Sequence, residues 1–485
     1  MTGSLDPRAA RRRYVATCVL FWFPIGLAVT PLILLFTQRG LALTTVAGCF
    51  VAHSLTAALL ELPTGGLSDV LGRRVVLATA GILNLVAFTV LGLGTAPWLL
   101  AVGMGLLGAG RALAGGPVEA WYVDTVHAGS GSEVGEVGEV GEVGEVGEVG
   151  EVGEVGEVGE VGEQRYSESE SELRTGLARG GTATAIALAA GTLLGGGLPW
   201  LLGLSPGLVS GLGEFTGGRV LPLSVPPLLA AVALSAFMFH VLTALPEPAV
   251  RPSATPRAVV AGIPATVAEG LRLGGRDALV RRVLLGAAAT GCALAAVELL
   301  TPGRASLLTG APESGAMLFA VLACTGFLCS AGGSHLAPLT ARWAGGGERA
   351  VLVGLATGAT GLLLLGATAA FSGPLATGCA ALAYAVVYLG LGAAGPNENA
   401  LLHGRVSGAG RATALSVQSL ALQAAGALTG PAVAALPPGP TPWIASGAVL
   451  LAGSLLWLRR PTPARLPAPA PRDLVAGGRS ERGVA

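Results

Sequence analysis

Apolar runs, each close to the length of a membrane crossing, alternate with short polar or arginine-bearing breaks along almost the whole chain. A helix needs about 20 mostly apolar residues to span the hydrocarbon core. Runs of that kind fall at 14–37, 46–68, 74–95, 98–124, 177–203, 223–245, 282–303, 315–337, 350–371, 374–396, 412–436 and 441–458. Each predicts a transmembrane helix, the fourth and sixth being the least clean. The first run follows Arg8, Arg11, Arg12 and Arg13, as in a secretory signal. Its apolar stretch is too long for one and no small-residue cleavage site follows, so it is read as a retained anchor.

Arginine placement orients these spans, because basic loops stay on the cytoplasmic side. One set of span ends carries the N-terminal cluster, Arg73, Arg74, Arg165, Arg174, Arg179, the arginines between 251 and 282, Arg342, Arg349, Arg405, Arg411, Arg459 and Arg460. The alternate ends carry Arg39, Arg219 and Arg304 alone. Both termini are therefore expected in the cytoplasm, which needs an even number of spans and agrees with twelve. The expected fold is all-α and integral to the membrane, in two six-helix bundles. The reading divides the chain into a cytoplasmic start (1–13), a first bundle (14–245), a proline- and arginine-bearing cytoplasmic linker (246–281), a second bundle (282–460) and a disordered tail (461–485).

Composition supports the bilayer as solvent. Hydrophobic residues make up 52% and charged residues only 12%, with a mean hydropathy of +0.68, whereas soluble domains carry about a quarter charged residues. The net charge is zero, so nothing draws the chain to nucleic acid. All 29 basic residues are arginine, which fits the codon bias of a GC-rich bacterial genome. The six cysteines lie scattered in apolar stretches without metal-like spacing, as packing residues would. No metal or cofactor is expected.

From Glu133 the triplet Glu-Val-Gly repeats ten times, to Gly162. A carboxylate at every third residue repels its neighbours, and glycine at every third position opposes both helix and strand. The repeat is read as a solvated cytoplasmic loop: a tolerated repeat expansion, or alternatively an acidic tether.

The loop after the second span reads Gly65-Gly66-Leu67-Ser68-Asp69-Val70-Leu71-Gly72-Arg73-Arg74. Glycine permits close helix approach, Asp69 can meet a helix N-terminus or a neighbouring arginine, and the arginine pair holds the loop at the cytoplasmic surface. This stretch resembles the signature loop of the major facilitator superfamily, with Val70 where a basic residue is usual. The resemblance implies a cytoplasmic gate built on Gly65, Asp69, Gly72, Arg73 and Arg74. Arg111, followed by Gly115, is similar to the superfamily's fourth-span arginine element, and Gly191 and Gly195 match part of its fifth-span antiporter element, with Gly196 where proline is usual. The second half repeats the plan faintly at Gly347-Glu348-Arg349.

Charges inside a span are expensive unless paired or wet, and so mark function. Glu61 is the first candidate for a proton carrier, with Arg111, Glu119 and Glu298 as further coupling candidates. Glu119 and Asp124, five residues apart, point about 140° apart on a helix and do not form one carboxylate pair; Asp124 reads as a plain helix-end charge. His53 reads as a packed histidine. Trp22, Phe23, Tyr384, Tyr388, Gln418 and Gln423 are candidates to line a substrate cavity. No P-loop, metal cluster or nucleophile elbow is present in the sequence, so an ion gradient is the expected energy source and enzymatic activity is not expected. The family resemblance implies proton-coupled export of small amphipathic molecules from a bacterial cytoplasmic membrane, by a monomer. The alternatives are a proton symporter importing a metabolite, which a cavity with paired charges would favour, and a membrane sensor on the same fold.

Overall fold

The computed structural model describes residues 6–129, 156–246, 272, 274–406 and 409–458, with backbone alone for 61–67, 69–70, 127–129, 156–170 and 409–413. Among the described residues every regular element is helical. In the first half these are α1 (Pro7–Val29), α2 (Leu32–Gln38), α3 (Leu43–Leu71), α4 (Arg73–Leu93), α5 (Pro97–Ala114), α6 (Pro117–Gly129), α7 (Gly156–Gly203), α8 (Pro206–Thr216) and α9 (Val225–Ala244). The second half comprises α10 (Ala278–Thr309), α11 (Pro312–Ala344), α12 (Gly347–Thr368), α13 (Pro374–Arg405), α14 (Ala409–Ala434) and α15 (Pro440–Leu455). Eleven stretches among the described residues are long and apolar enough to cross a membrane. The 26-residue helix α14 is not among the eleven, but it packs on α10 and α3.

Three boundaries depart from the apolar pattern. The first span breaks at Thr30 and Pro31, between α1 and α2, where proline withdraws a backbone donor. The fourth breaks at Gly115 and Gly116, between α5 and α6, because two adjacent glycines favour a turn over helix and Pro117 suits a new first turn. The third departure corrects the expectation for the acidic repeat. Residues 133–155 lie outside the described ones, but from Gly156 the chain is already helical and runs on into the fifth span. Extending an existing helix is far cheaper than nucleating one, so a long apolar helix carries the last triplets with it. The seventh span also begins early, at Ala278, capped by Asp277; residues 247–271 and the tail lie outside the described residues.

The two halves repeat one packing plan. In the first, α1 packs on α7 and α9, α3 on α5, and α4 on α5 and α9. In the second, α10 packs on α14 and α15, α11 on α13, and α12 on α13 and α15. Each of these pairings recurs at the equivalent span, as an internal repeat requires. The halves meet through α7 against α11 and α14 against α3, again an equivalent pair. Each half has its own apolar core, one around Phe36, Phe88, Trp121 and Phe237, the other around Val351, Leu355, Tyr384 and Trp457. Outside the cores Leu59, Val232 and Phe239 are 63, 70 and 72% exposed. Water would penalise such a surface and hydrocarbon does not.

The repeat extends to two outer arginines. Arg39 donates to the carbonyls of Leu91 (2.9 Å) and Gly94 (2.6 Å) and to Ser224 Oγ (3.1 Å), at the end of α4. Arg304 donates to the carbonyls of Thr368 (2.7 Å) and Phe371, at the end of α12. Each caps the third membrane-crossing helix of its own half, supplying donors to carbonyls left over where the helix stops.

Contacts between the halves gather toward the outer side. An added Cβ at Gly196 of α7 would stand 2.4 Å from the Ala316 carbonyl of α11, and one at Gly430 of α14 would lie 3.8 Å from Ala47 of α3. Gln38 Nε2 donates to Glu313 Oε1 across the seam at 3.1 Å. Leu299 and Ala316 belong to the first half's apolar core although the second half supplies them. At the cytoplasmic end of α11, by contrast, Trp343 is 78% exposed.

Candidate functional site

At the cytoplasmic edge of the first half, Gly72 takes φ +91°, a region side chains disfavour, and turns the chain from α3 straight into α4. Arg73 and Arg74 therefore open α4. Arg73 forms an ion pair with Asp124 of α6. Arg74 donates to the carbonyl of Leu242 near the end of α9, where Arg13 Nη1 also reaches Ala244 O (2.7 Å) and Trp121 Nε1 reaches Pro246 O (2.9 Å). Asp124 is thus the partner of Arg73 and no plain helix-end charge: the break at Gly115 and Gly116 lets α6 set off afresh and bring Asp124 to the start of α4. Gly65 and Asp69 lie in α3, and the side chain of Asp69 lies outside the described residues.

The second half has its own ion pairs at the same face. Arg282 of α10 meets Glu348 of α12 at 3.1 Å, and Arg405 Nε at the end of α13 donates to Asp277 Oδ2 at 2.7 Å. Asp277 also accepts from the Leu279 (2.8 Å) and Val280 (3.3 Å) amides as the N-cap of α10. Partial burial pushes its carboxyl up, but Arg405 and the two amides outweigh that and hold it below its ordinary value.

Deeper in, charges from the two halves meet. Arg111, in the last turn of α5, is exposed, and so is Glu298, twenty residues into α10. Neither makes a hydrogen bond or an ion pair within 4 Å among the described residues, yet the Arg111 charge reaches both Glu298 and His53 of α3. Exposed charges at mid-span with such neighbours face an internal, water-accessible space, because facing lipid would be prohibitive. Two glycines set Arg111 in place. A Cβ at Gly108 would stand 2.3 Å from the His53 carbonyl, and one at Gly110 would stand 2.1 Å from Asn84 Oδ1. They let α5 press against α3 and α4 just before the arginine.

On the opposite wall, the Glu298 charge reaches Tyr384 and Tyr388 of α13. The two rings lie 4.9 Å apart and pack over Gly326 of α11. Tyr384 is buried and Tyr388 half-buried. Among the sequence candidates, Tyr384 and Tyr388 pack together, while Arg111 and Glu298 are linked by the reach of their charges alone. The other sequence candidates fall elsewhere or lack side-chain detail. The Glu119 charge reaches Tyr14 and Cys18 of α1, away from Glu298. Trp22 and Phe23 pack partly buried against the first core. Gln423 donates to Ser419 Oγ at 3.2 Å along α14, and Gln418 is half-buried. Glu61 lies in α3 with its side chain outside the described residues.

Glu398 is a buried carboxyl that the sequence reading missed, 5% exposed on α13. Its Oε1 has no hydrogen-bond partner, nor does Nε1 of Trp457, which is also buried. Both face Gly286 of α10, where a Cβ would stand 2.7 Å from Glu398 Oε1 and 3.7 Å from Trp457 Nε1. The apolar run was read as ending at 396, whereas α13 continues through Pro396 to Arg405. Membrane helices tolerate proline because neighbours re-satisfy the freed groups. A carboxylate two residues further on was the available signal.

No family model and no curated protein matches the sequence. Solved structures do resemble the fold. A mutant of the nucleoside transporter NupG superposes with a TM-score of 0.68 at 11% identity, covering 93% of this chain and 99% of that one. A POT family transporter in complex with 5-aminolevulinic acid gives 0.61 at 14% identity, covering 92% and 95%. A bacterial homologue of the human drug peptide transporters PepT1 and PepT2 gives 0.57 at 13% identity, covering 94% and 98%. At these identities the likeness concerns the fold alone.

Proposed function

We propose that this chain is a secondary active transporter that moves a small polar metabolite by alternating access. The carrying observation is that Arg111 of the first half and Glu298 of the second face one internal space without partners among the described residues. Rocking of the halves about that space would expose it to each side in turn. The outer seam at Gly196 and Ala316 is then one gate, and the cytoplasmic ion pairs, Arg73 with Asp124 above all, belong to the other. Solved transporters of the same fold support this reading. Glu298 is the proposed proton carrier facing the cavity, with Glu61 a second on sequence grounds. Proton symport into a bacterial cell, through its cytoplasmic membrane and by a monomer, is the direction we favour. Charges of both signs in the cavity weigh against an amphipathic drug as cargo, and so against the exporter that the fifth-span glycines suggested.

The test is flux in proteoliposomes under an imposed pH gradient. Uptake of polar metabolites with substrate-triggered proton movement, lost in Glu298→Gln, is the expected result. Proton movement triggered only by lipophilic drugs would restore the exporter.

A further inference from the structure

We propose that α8 is a lipid-docking helix, whose Leu208, Leu212 and Phe215 sink into the outer leaflet at the boundary between headgroups and acyl chains. The proposal stands on the helix itself and holds whatever the chain carries. Nothing inside the bundle accounts for this helix. It has 11 residues, three of them glycine (Gly207, Gly211 and Gly213), and its N-cap Ser205 makes no side-chain hydrogen bond. Helices this short are marginal in water, and glycine weakens them further. Packing does not compensate: α8 leans on α7, yet none of its residues is buried. Phe215 is 91% exposed and Leu208 62%. Surroundings that accept apolar side chains have to supply what the bundle does not.

The residue pattern fits a membrane surface. At about 100° per residue, Leu208, Leu212 and Phe215 fall within a sector of about 60°, with Ser210 and Glu214 on the opposite side. Both ends of the helix are held at the outer rim of the first half. Leu204 and Ser205 alone separate α8 from the end of the fifth span in α7. At the far end Gly217 and Gly218 take φ +60° and +76°, and the Gly218 amide donates back to the Gly213 carbonyl at 2.8 Å. The Val220 amide donates to Thr216 Oγ1 at 3.3 Å, and the turn Pro222–Ser224 then opens the sixth span. A chain folded back in this way has no slack to lift α8 off the rim, so the helix lies along it. There it adjoins apolar surface that already faces lipid: Trp200, Leu201 and Leu204 at the end of α7 are exposed, as is Val232 on α9. Tryptophan is at home at that interface. Glu214 stays clear of lipid phosphates, while Arg219, exposed just beyond the helix, can reach one. Three side chains in one stripe suffice for a surface helix and fall far short of the roughly 800 Å² a side of a stable dimer. Docked so, α8 ties to the leaflet the same helix that meets α11 at Gly196.

The experiment uses the full chain carrying Cys379→Ser, which removes its exposed native thiol, in vesicles of phosphatidylethanolamine and phosphatidylglycerol in equal parts. Leu208→Cys, Phe215→Cys, Ser210→Cys and Glu214→Cys are each labelled with the environment-sensitive dye NBD, and the chain without an added cysteine sets the background. Lipids bearing a nitroxide high on the acyl chain are the quenchers. We expect blue-shifted emission at 208 and 215, quenched at least about twofold more than at 210 and 214, as a helix lying in the interface requires. Melting curves check that the variants fold, and since α8 buries no residue they should. A second measurement needs no variant: a phospholipid with a photoreactive group near its glycerol should crosslink the unaltered chain within 208–215. Water-like emission and equally weak quenching at all four positions, with no lipid crosslink, would overturn the proposal. Blue-shifted dye at 208 and 215 that the nitroxide does not reach, with cysteine crosslinks between two copies, would overturn it as well and make the stripe a dimer contact.

Discussion

Asp277 and Arg405 join the start of the seventh membrane helix to the end of the tenth through a 2.7 Å hydrogen bond between opposite charges. Asp277 is also the N-cap of α10, so one carboxylate closes a helix and ties two spans together. Its carboxyl is held below its ordinary value of 3.8 by those donors, against the upward push of partial burial. A depressed carboxylate contributes stability that is fully present above its unfolded value and is lost as pH falls through the folded one. The melting temperature of wild type should therefore exceed that of Asp277→Asn by a constant margin at neutral pH. The margin should close only below pH 3.8; a gap that persisted in strong acid would show that packing, not charge, separates the two proteins.

Two glycines of α7, five residues apart, should respond differently to the same insult. A Cβ at Gly191 would stand 2.3 Å from the Phe23 carbonyl within the first half, and one at Gly196 would stand 2.4 Å from Ala316 O across the seam. Gly191→Ala should destabilise the first bundle by about 1–3 kcal/mol, the usual cost of overpacking, and lower the melting temperature. Gly196→Ala should instead push the halves apart on the outer side. A cysteine placed at Met317 would then react faster with an impermeant thiol reagent from outside. Equal losses of melting temperature and unchanged labelling would mean that the seam is no gate.

Glu398 and Trp457 offer a test of burial without partners. Replacing a buried, unsatisfied polar group by an apolar one of like shape is neutral or stabilising. Glu398→Met should therefore hold or raise the melting temperature. Gly286→Ala should lower it, because its Cβ would press on Glu398 Oε1. A large loss in Glu398→Met would mean that the carboxyl has a partner, such as a bridging water.

Deleting residues 133–153, seven of the ten triplets, should leave uptake in proteoliposomes unchanged. The deletion stops short of the helical residues from Gly156. A selective loss of uptake with intact folding would favour the acidic tether.

The membrane-crossing helices were legible because the signal is local: twenty apolar residues announce a span, and arginines at alternate ends announce its direction. What escaped was non-local or a matter of backbone detail. The break at Gly115 and Gly116 hid inside an apolar run, and with it the meeting of Asp124 with Arg73. Arg111 and Glu298 each stood out as a charge in a span. That the Arg111 charge acts on Glu298 of the other half depends on how two bundles pack, which no single stretch of chain encodes. Glu398 fell just beyond the apolar run read as ending at 396, whereas the helix continues to Arg405.

The capping of α4 by Arg39 and of α12 by Arg304 bears on how the outer surface looks to an approaching solute. A helix C-terminus carries roughly half a negative charge, and each arginine spends its own charge against one. Two of the three arginines that interrupt an otherwise arginine-poor outer side are thus internally compensated. Their long-range field is muted, so solutes of either sign can approach without being steered or turned away. Selection between them is left to the interior.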